Sequence, residues 1–141
     1  MPDVLIVDDD DIDVMAVQRA LAKLERAPRT HVAHDGEEAL AILRSVNRGP
    51  HALRTPFVVL LDINMPRMNG FEFLDCVRRD DKLRDIVVFM LSTSDAPGDL
   101  ARAYGYHVAG YINKARASGD FASSMNMLAH YCSVVDLPEA R

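Results

Sequence analysis

Phe57-Val58-Val59-Leu60-Leu61-Asp62-Ile63-Asn64 opens with five consecutive apolar residues and then turns acidic at Asp62. A run this short, apolar throughout and rich in branched side chains has no polar face to offer water. It reads as a strand covered on both faces of a sheet. Val4-Leu5-Ile6-Val7 and Ile86-Val87-Val88-Phe89-Met90-Leu91 have the same character, so three central parallel strands are expected. Thr30-His31-Val32-Ala33 and Val108-Ala109-Gly110-Tyr111-Ile112 are less apolar and belong nearer the edges. Between these segments the apolar spacing becomes helical: Val14, Val17, Leu21 and Leu24 share one face, Ala39, Leu40 and Leu43 another, and Phe71, Leu74 and Val77 a third. A last helix is expected from about Gly119 to Val135. Strand and helix alternate five times along the chain. Parallel strands need right-handed crossovers, so this alternation predicts an α/β fold with helices on both faces of a five-stranded parallel sheet.

The chemistry gathers where the strands end. Asp8, Asp9, Asp10 and Asp11 follow the first strand, and Asp62 then Asn64 follow the third. If these strands are neighbours, several carboxylates share one crevice and repel one another unless a hard cation neutralises them. Mg2+ suits such a place, since it takes one or two carboxylates together with waters and phosphate oxygens. Asp10 or Asp11 is expected to cap the first helix. Capping does not explain Asp62, an acid at the end of a different strand. Ser92-Thr93 and Lys114 occupy the ends of the fourth and fifth strands. A hydroxyl and an ammonium are the partners that phosphoryl oxygens require, although either alone would be an ordinary turn or surface residue.

At 141 residues the chain reads as one domain, 1–141, with no room for a separate output domain. The net charge of −5 argues against a nucleic-acid surface. No apolar stretch approaches the roughly 18 residues of a membrane span, and the start lacks a secretory pattern, so a cytoplasmic location is expected. Cys76 and Cys132 lack metal-ligand spacing and read as reduced thiols. None of His31, His34, His51, His107 and His130 is assigned chemistry. The irregular stretch from Val46 to Pro56 enters a strand and therefore lies at the amino ends, away from where ligands bind in open α/β sheets. Its Arg48, His51 and Arg54 are read as solvated charges.

Five motifs in order resemble the receiver domain of bacterial two-component response regulators: Val4 to Asp9, His34 to Leu40, Leu61 to Gly70, Met90 to Thr93, and Gly110 to Lys114. The resemblance implies a flavodoxin-like, doubly wound sheet of order 2-1-3-4-5 with five helices. It implies that Asp62 accepts a phosphoryl group from the phosphohistidine of a sensor histidine kinase. Asp8, Asp9 and Asp62, with the backbone carbonyl of Asn64, would hold Mg2+. Lys114 and Ser92 would complete the phosphoryl site, and Ser92 and Tyr111 would be the switch residues that alter the face formed by the fourth helix, fifth strand and last helix. Met65 to Gly70 would shape the pocket wall.

One departure concerns Ala115, which follows Lys114 where many receivers carry a proline in a cis bond. A non-proline cis bond costs about 2.5–4 kcal/mol, which leaves the geometry of this bond open. This departure, the Leu91-Ser92-Thr93-Ser94 run and the long loop after the second helix resemble the single-domain regulators associated with bacterial phytochromes, so a bacteriophytochrome is the candidate kinase. The expected activity is that of a signalling module that assists its own phosphorylation and dephosphorylation. The rivals are a small-molecule phosphotransferase, which would need a covering cap, and a pseudo-receiver without turnover. Phe121, Met125, Leu128, Cys132 and Val135 form one apolar stripe of the last helix, enough to dock it. Met127, Tyr131 and Val134, continued by Leu137, form a second, which predicts a homodimer through this helix.

Overall fold

The computed structural model describes residues 1–116 and 120–139. Its elements run β1 (Asp3–Val7), α1 (Asp11–Ala22), β2 (Thr30–Ala33), α2 (Gly36–Arg44), β3 (Phe57–Leu61), α3 (Gly70–Arg79), β4 (Val87–Ser92), α4 (Asp99–Gly105), β5 (Gly110–Asn113) and α5 (Ala122–Val134), with a short 3-10 turn over Lys114–Arg116. All strand pairs are parallel, and the sheet order is β2-β1-β3-β4-β5. This is the flavodoxin-like order that the resemblance implied.

Side-chain alternation sorts the central strands into two cores. Leu5, Val7, Val59, Leu61, Val88 and Met90 point to one face, where Leu40 and Leu43 of α2, Phe71, Leu74 and Val77 of α3 and Ala103 of α4 cover them. Val4, Ile6, Val58, Leu60, Phe89 and Leu91 point to the other, under Val14, Val17 and Leu21 of α1, Phe121 just before α5, and Met125 and Leu128 within it. Full burial of each such side chain contributes about 1.5–3 kcal/mol, so these two layers hold the sheet between its helices. Truncating the fully buried Phe73 to Ala would cost about 3–5 kcal/mol.

Polar caps decide where the helices begin. Asp10 accepts from the N–H groups of Ile12 and Asp13 and starts α1; Asp35 accepts from Glu38 and starts α2. Asn69 and Glu72 form a reciprocal capping box at α3. Each cap sits at the carboxyl edge of the sheet, so these loops are turned sharply and held short.

Several expectations shift. β4 is shifted by one residue, running Val87–Ser92 rather than Ile86 to Leu91. β5 begins at Gly110 rather than Val108, because α4 closes through Tyr106 and a left-handed His107, whose φ is 61°. α4 itself buries only Ala103 and is too short to show periodicity in sequence. α5 starts at Ala122, and Gly119 lies outside the described residues. The second apolar stripe of α5 is narrower than expected: Tyr131 turns inward, edge-on to Phe89 with ring centroids 5.0 Å apart, and Leu137 packs on the core. Val135, assigned to the docking stripe, is instead exposed. Met127 and Val134 remain in water. Arg54 is not merely solvated; its guanidinium donates to the carbonyls of Asn47 and Gly49 and closes the long loop. Among the described residues no helix is long and apolar enough to cross a membrane.

Candidate phosphoryl and metal site at the carboxyl edge of the sheet

Val7 pairs with Leu61, so the next residues, Asp8 and Asp62, emerge side by side. The ladder continues through them, with Asp62 N–H on the Val7 carbonyl and Asp8 N–H on the Ala33 carbonyl, both at 2.9 Å. Ser92 pairs with Asn113 on the far side, which places Lys114 next at the same edge. The sequence therefore has only to end four strands level for these side chains to converge.

Asp8, Asp62, Ser92 and Lys114 are all buried, and Asp9 is exposed at the mouth. Carboxylate oxygens of Asp8, Asp9 and Asp62 lie within 4.8 Å of one another. Lys114 Nζ donates to Asp8 Oδ2 at 2.6 Å and to Asp13 Oδ2 at 2.8 Å, and stands 3.6 Å from Asp62 Oδ2. Asp62 Oδ1 accepts the N–H of Ile63 at 2.8 Å, and Asp8 Oδ1 that of Asp10 at 3.0 Å. Asn64 is exposed in the loop after Asp62.

Four carboxylates thus face one ammonium. Burial, the largest influence on Asp8, pushes its carboxyl up to about 6, against the lowering hydrogen bonds from Lys114 and the Asp10 N–H; the Asp62 charge raises it further. Burial works to lower the Lys114 ammonium, yet the hydrogen bonds to Asp13 and Asp8 and the charge of Asp62 outweigh it and hold the proton above the usual lysine range. Neighbouring negative charge raises both groups, the Asp62 carboxylate acting on each. A hard divalent cation answers that excess of carboxylates, and an all-oxygen donor set of this spacing fits one.

The two residues expected to act as the switch, Ser92 and Tyr111, meet at Ser94. Its N–H donates to Ser92 Oγ at 3.3 Å, and its carbonyl accepts from the Tyr111 hydroxyl at 2.9 Å. Tyr111 is half-buried, whereas Thr93, the other half of the expected hydroxyl pair, is exposed. The Lys114–Ala115 bond is not among the cis bonds of the described residues. Both cysteines are free.

Sequence reasoning missed Asp13. It stands in the first turn of α1, where an acid is ordinarily read as a complement to the helix dipole. No local signal shows that Lys114 will reach it.

The family model for the response regulator receiver domain matches residues 4–126. The probable methanogenesis regulatory protein FilR2 of Methanothrix harundinacea is 34% identical over 91% of this chain and 81% of its own length. Response regulator Rcp1 of Synechocystis is 30% identical over 97% of this chain and 93% of its own. The crystal structure of the phosphorylated cyanobacterial phytochrome response regulator RcpA superposes with a TM-score of 0.84 at 33% identity, covering 98% of this chain and 99% of that one. The structure of the Mn2+-bound form of Rcp1 superposes with a TM-score of 0.83 at 27% identity over 99% of this chain and 100% of that one.

Proposed function

This chain belongs to the response regulator receiver domain family of phosphorylation-controlled, two-component signalling, and we propose that it takes a phosphoryl group from a sensor histidine kinase onto Asp62 with Mg2+ bound beside it. The observation that carries this reading is the buried convergence of Asp8, Asp62 and Lys114 from three separate strand ends. Asp62 is the nucleophile: its carboxylate oxygen attacks phosphorus, the P–N bond of the phosphohistidine breaks, and the electron pair returns to the imidazole, which takes up a proton. Asp8, Asp9, Asp62 and the Asn64 carbonyl would hold Mg2+, which would supply charge neutralisation for the phosphoryl oxygens. Lys114 pairs with a phosphoryl oxygen as a point charge, and Ser92 donates its hydroxyl to another.

Transfer of a phosphoryl group asks for little beyond such positioning and charge neutralisation. Among the described residues the loops 8–10, 62–69 and 93–98 at this edge carry no covering element, which favours a pocket open to a partner's phosphohistidine over a capped small-molecule site. On this reading the chain is a signalling module that assists its own phosphorylation and dephosphorylation rather than an enzyme acting on a small molecule. The likeness to Rcp1 and RcpA supports a bacteriophytochrome as the kinase. Because Ser94 bonds both Ser92 and Tyr111, a Ser92 drawn toward phosphate would pull on the contact that holds Tyr111. The face of α4, β5 and α5 would then change with phosphorylation.

Saturable binding of beryllofluoride, a phosphoryl mimic, in the presence of Mg2+ tests the site. Wild type should bind it and Asp62→Asn should not; no binding by wild type would favour a pseudo-receiver. We also propose a homodimer through α5, now resting on Met127 and Val134. Sedimentation at micromolar concentration should show a dimer that Val134→Glu dissociates, and a wild-type monomer would refute it.

A further inference from the structure

We propose that Asp35 and Arg67 brace the β3–α3 loop against α2 and so set the position of the Asn64 carbonyl, making both positioning residues for metal binding. The inference rests on the function just proposed, since it concerns the metal which that reading places on Asp8, Asp9, Asp62 and Asn64.

The Asp35 side chain has no exposed surface, although it lies outside the phosphoryl pocket. One oxygen accepts the N–H of Glu38 at 2.9 Å and caps α2; the other takes the Arg67 guanidinium. Arg67 sits in the loop that leaves Asp62, with a left-handed φ of 62°. A residue with a side chain holds that conformation only where its surroundings impose it. Beside it, Gly36 N–H donates to the Met68 carbonyl at 2.9 Å. A Cβ on Gly36 would lie 2.6 Å from Met68 Cγ, so the loop presses directly on the start of α2. The base of the loop is fixed in the same manner: Gly70 N–H donates to the Ile63 carbonyl at 2.8 Å, and a Cβ on Gly70 would sit 2.3 Å from the Asp62 carbonyl. Asn64 lies between these two clamps and is itself exposed. Its backbone therefore takes its place from Asp62 at one end and from Asp35 and Arg67 at the other.

A sign test separates bracing from charge. Removing the Arg67 cation should, by electrostatics alone, tighten a nearby divalent cation, and removing the Asp35 anion should weaken it. Bracing requires that both changes weaken it. Titration calorimetry of the full chain with Mg2+ should show a loss of about tenfold in affinity for Arg67→Ala and for Asp35→Asn, as is usual when support around a metal ligand is lost. Labelling by acetyl phosphate should recover at saturating Mg2+, because Asp62, Ser92 and Lys114 are untouched. Should a single variant fail to fold with an unpaired buried charge, Asp35→Asn/Arg67→Gln leaves none and should show the same loss. Unchanged affinity in the folded variants, or opposite shifts for Arg67→Ala and Asp35→Asn, would overturn the brace alone. A wild type that takes no Mg2+ would overturn the functional reading and the brace together.

Discussion

Strand β1 carries an aspartate at each end, and the two live in opposite electrostatic worlds. Asp3, at the amino end, is met by Arg29 at 2.8 Å, by the Arg54 N–H at 3.0 Å and by His31 at 3.3 Å. Burial opposes its ionisation, yet those partners outweigh it and hold its carboxyl below the ordinary 3.8. Asp8, at the carboxyl end, is pushed up to about 6, first by burial and then by the Asp62 charge, because the one ammonium it shares with Asp13 and the Asp10 N–H do not outweigh them. A carboxylate surrounded by donors is a structural tie; carboxylates outnumbering their donors are a place for a cation. Cavity size does not make that distinction. A cavity of about 370 Å³ opens at the amino ends, between Arg44, Arg48, Thr55, Asp80, Lys82 and Glu139, but its charges are mixed and it lies away from the converging strand-end groups.

The largest expected contrast is in phosphoryl acceptance. Asp62→Asn should take no label from acetyl phosphate or a phosphorylated kinase, while Asp3→Asn should be labelled as wild type is. Equal labelling of Asp62→Asn would break the assignment of function to the carboxyl end.

Metal dependence sharpens the same contrast. Chelation should suppress labelling strongly, and Asp9→Ala should do so even with Mg2+ in excess. Mg2+ at a hundred times its Kd should raise unfolding free energy by about 2.7 kcal/mol in urea titrations. Asp3→Asn should keep that increment, and Asp9→Ala should lose most of it at the same concentration. Metal-independent labelling would contradict the role given to the acids.

Asp3→Asn should instead lower stability by about 1–3 kcal/mol, because Arg29, His31 and the Arg54 N–H lose a charged acceptor. Its contribution has a definite pH sense. A carboxyl whose folded value lies below 3.8 stabilises fully above 3.8 and loses that contribution as pH falls through the folded value. Urea titrations of wild type and Asp3→Asn should therefore converge on acidification; a constant gap would show that the tie is not ionic.

The smallest effect is expected at Tyr111→Phe, which deletes the hydroxyl that bonds the Ser94 carbonyl. About 0.5–1.5 kcal/mol should be lost, with faster amide exchange over residues 93–98 and labelling retained. Unaltered exchange there would remove Tyr111 from the account of the switch.

How much of this was legible follows from where each signal is written. The apolar runs before Asp8, Asp62 and Ser92 identify strands and also mark where they stop, so the site could be assembled once the strands were taken as parallel and in the order that the family resemblance implied. The seven residues of α4 bury a single side chain and leave no period to detect. Tyr131 belonged by spacing to an outer stripe, and only the position of Phe89 on the neighbouring sheet drew it inward. Arg54 looked like a loop charge until the loop folded back and offered it two carbonyls.

The amino-acid sequence by itself determined the alternation of elements and the residues at which the strands end, because periodicity and burial of apolar runs are local properties of the chain; the strand order that brings Asp8, Asp9, Asp62, Ser92 and Lys114 together was implied by the family resemblance and is fixed by the sheet pairing. Tertiary structure alone decided that Lys114, 101 residues from Asp13, would divide its hydrogen bonds between that residue and Asp8, and that Arg67 would reach across 32 residues to the buried Asp35. Ion pairing depends on ångström-scale approach between elements whose separation along the chain carries no such information, so the partners of a buried charge appear only when the helices have been laid on the sheet.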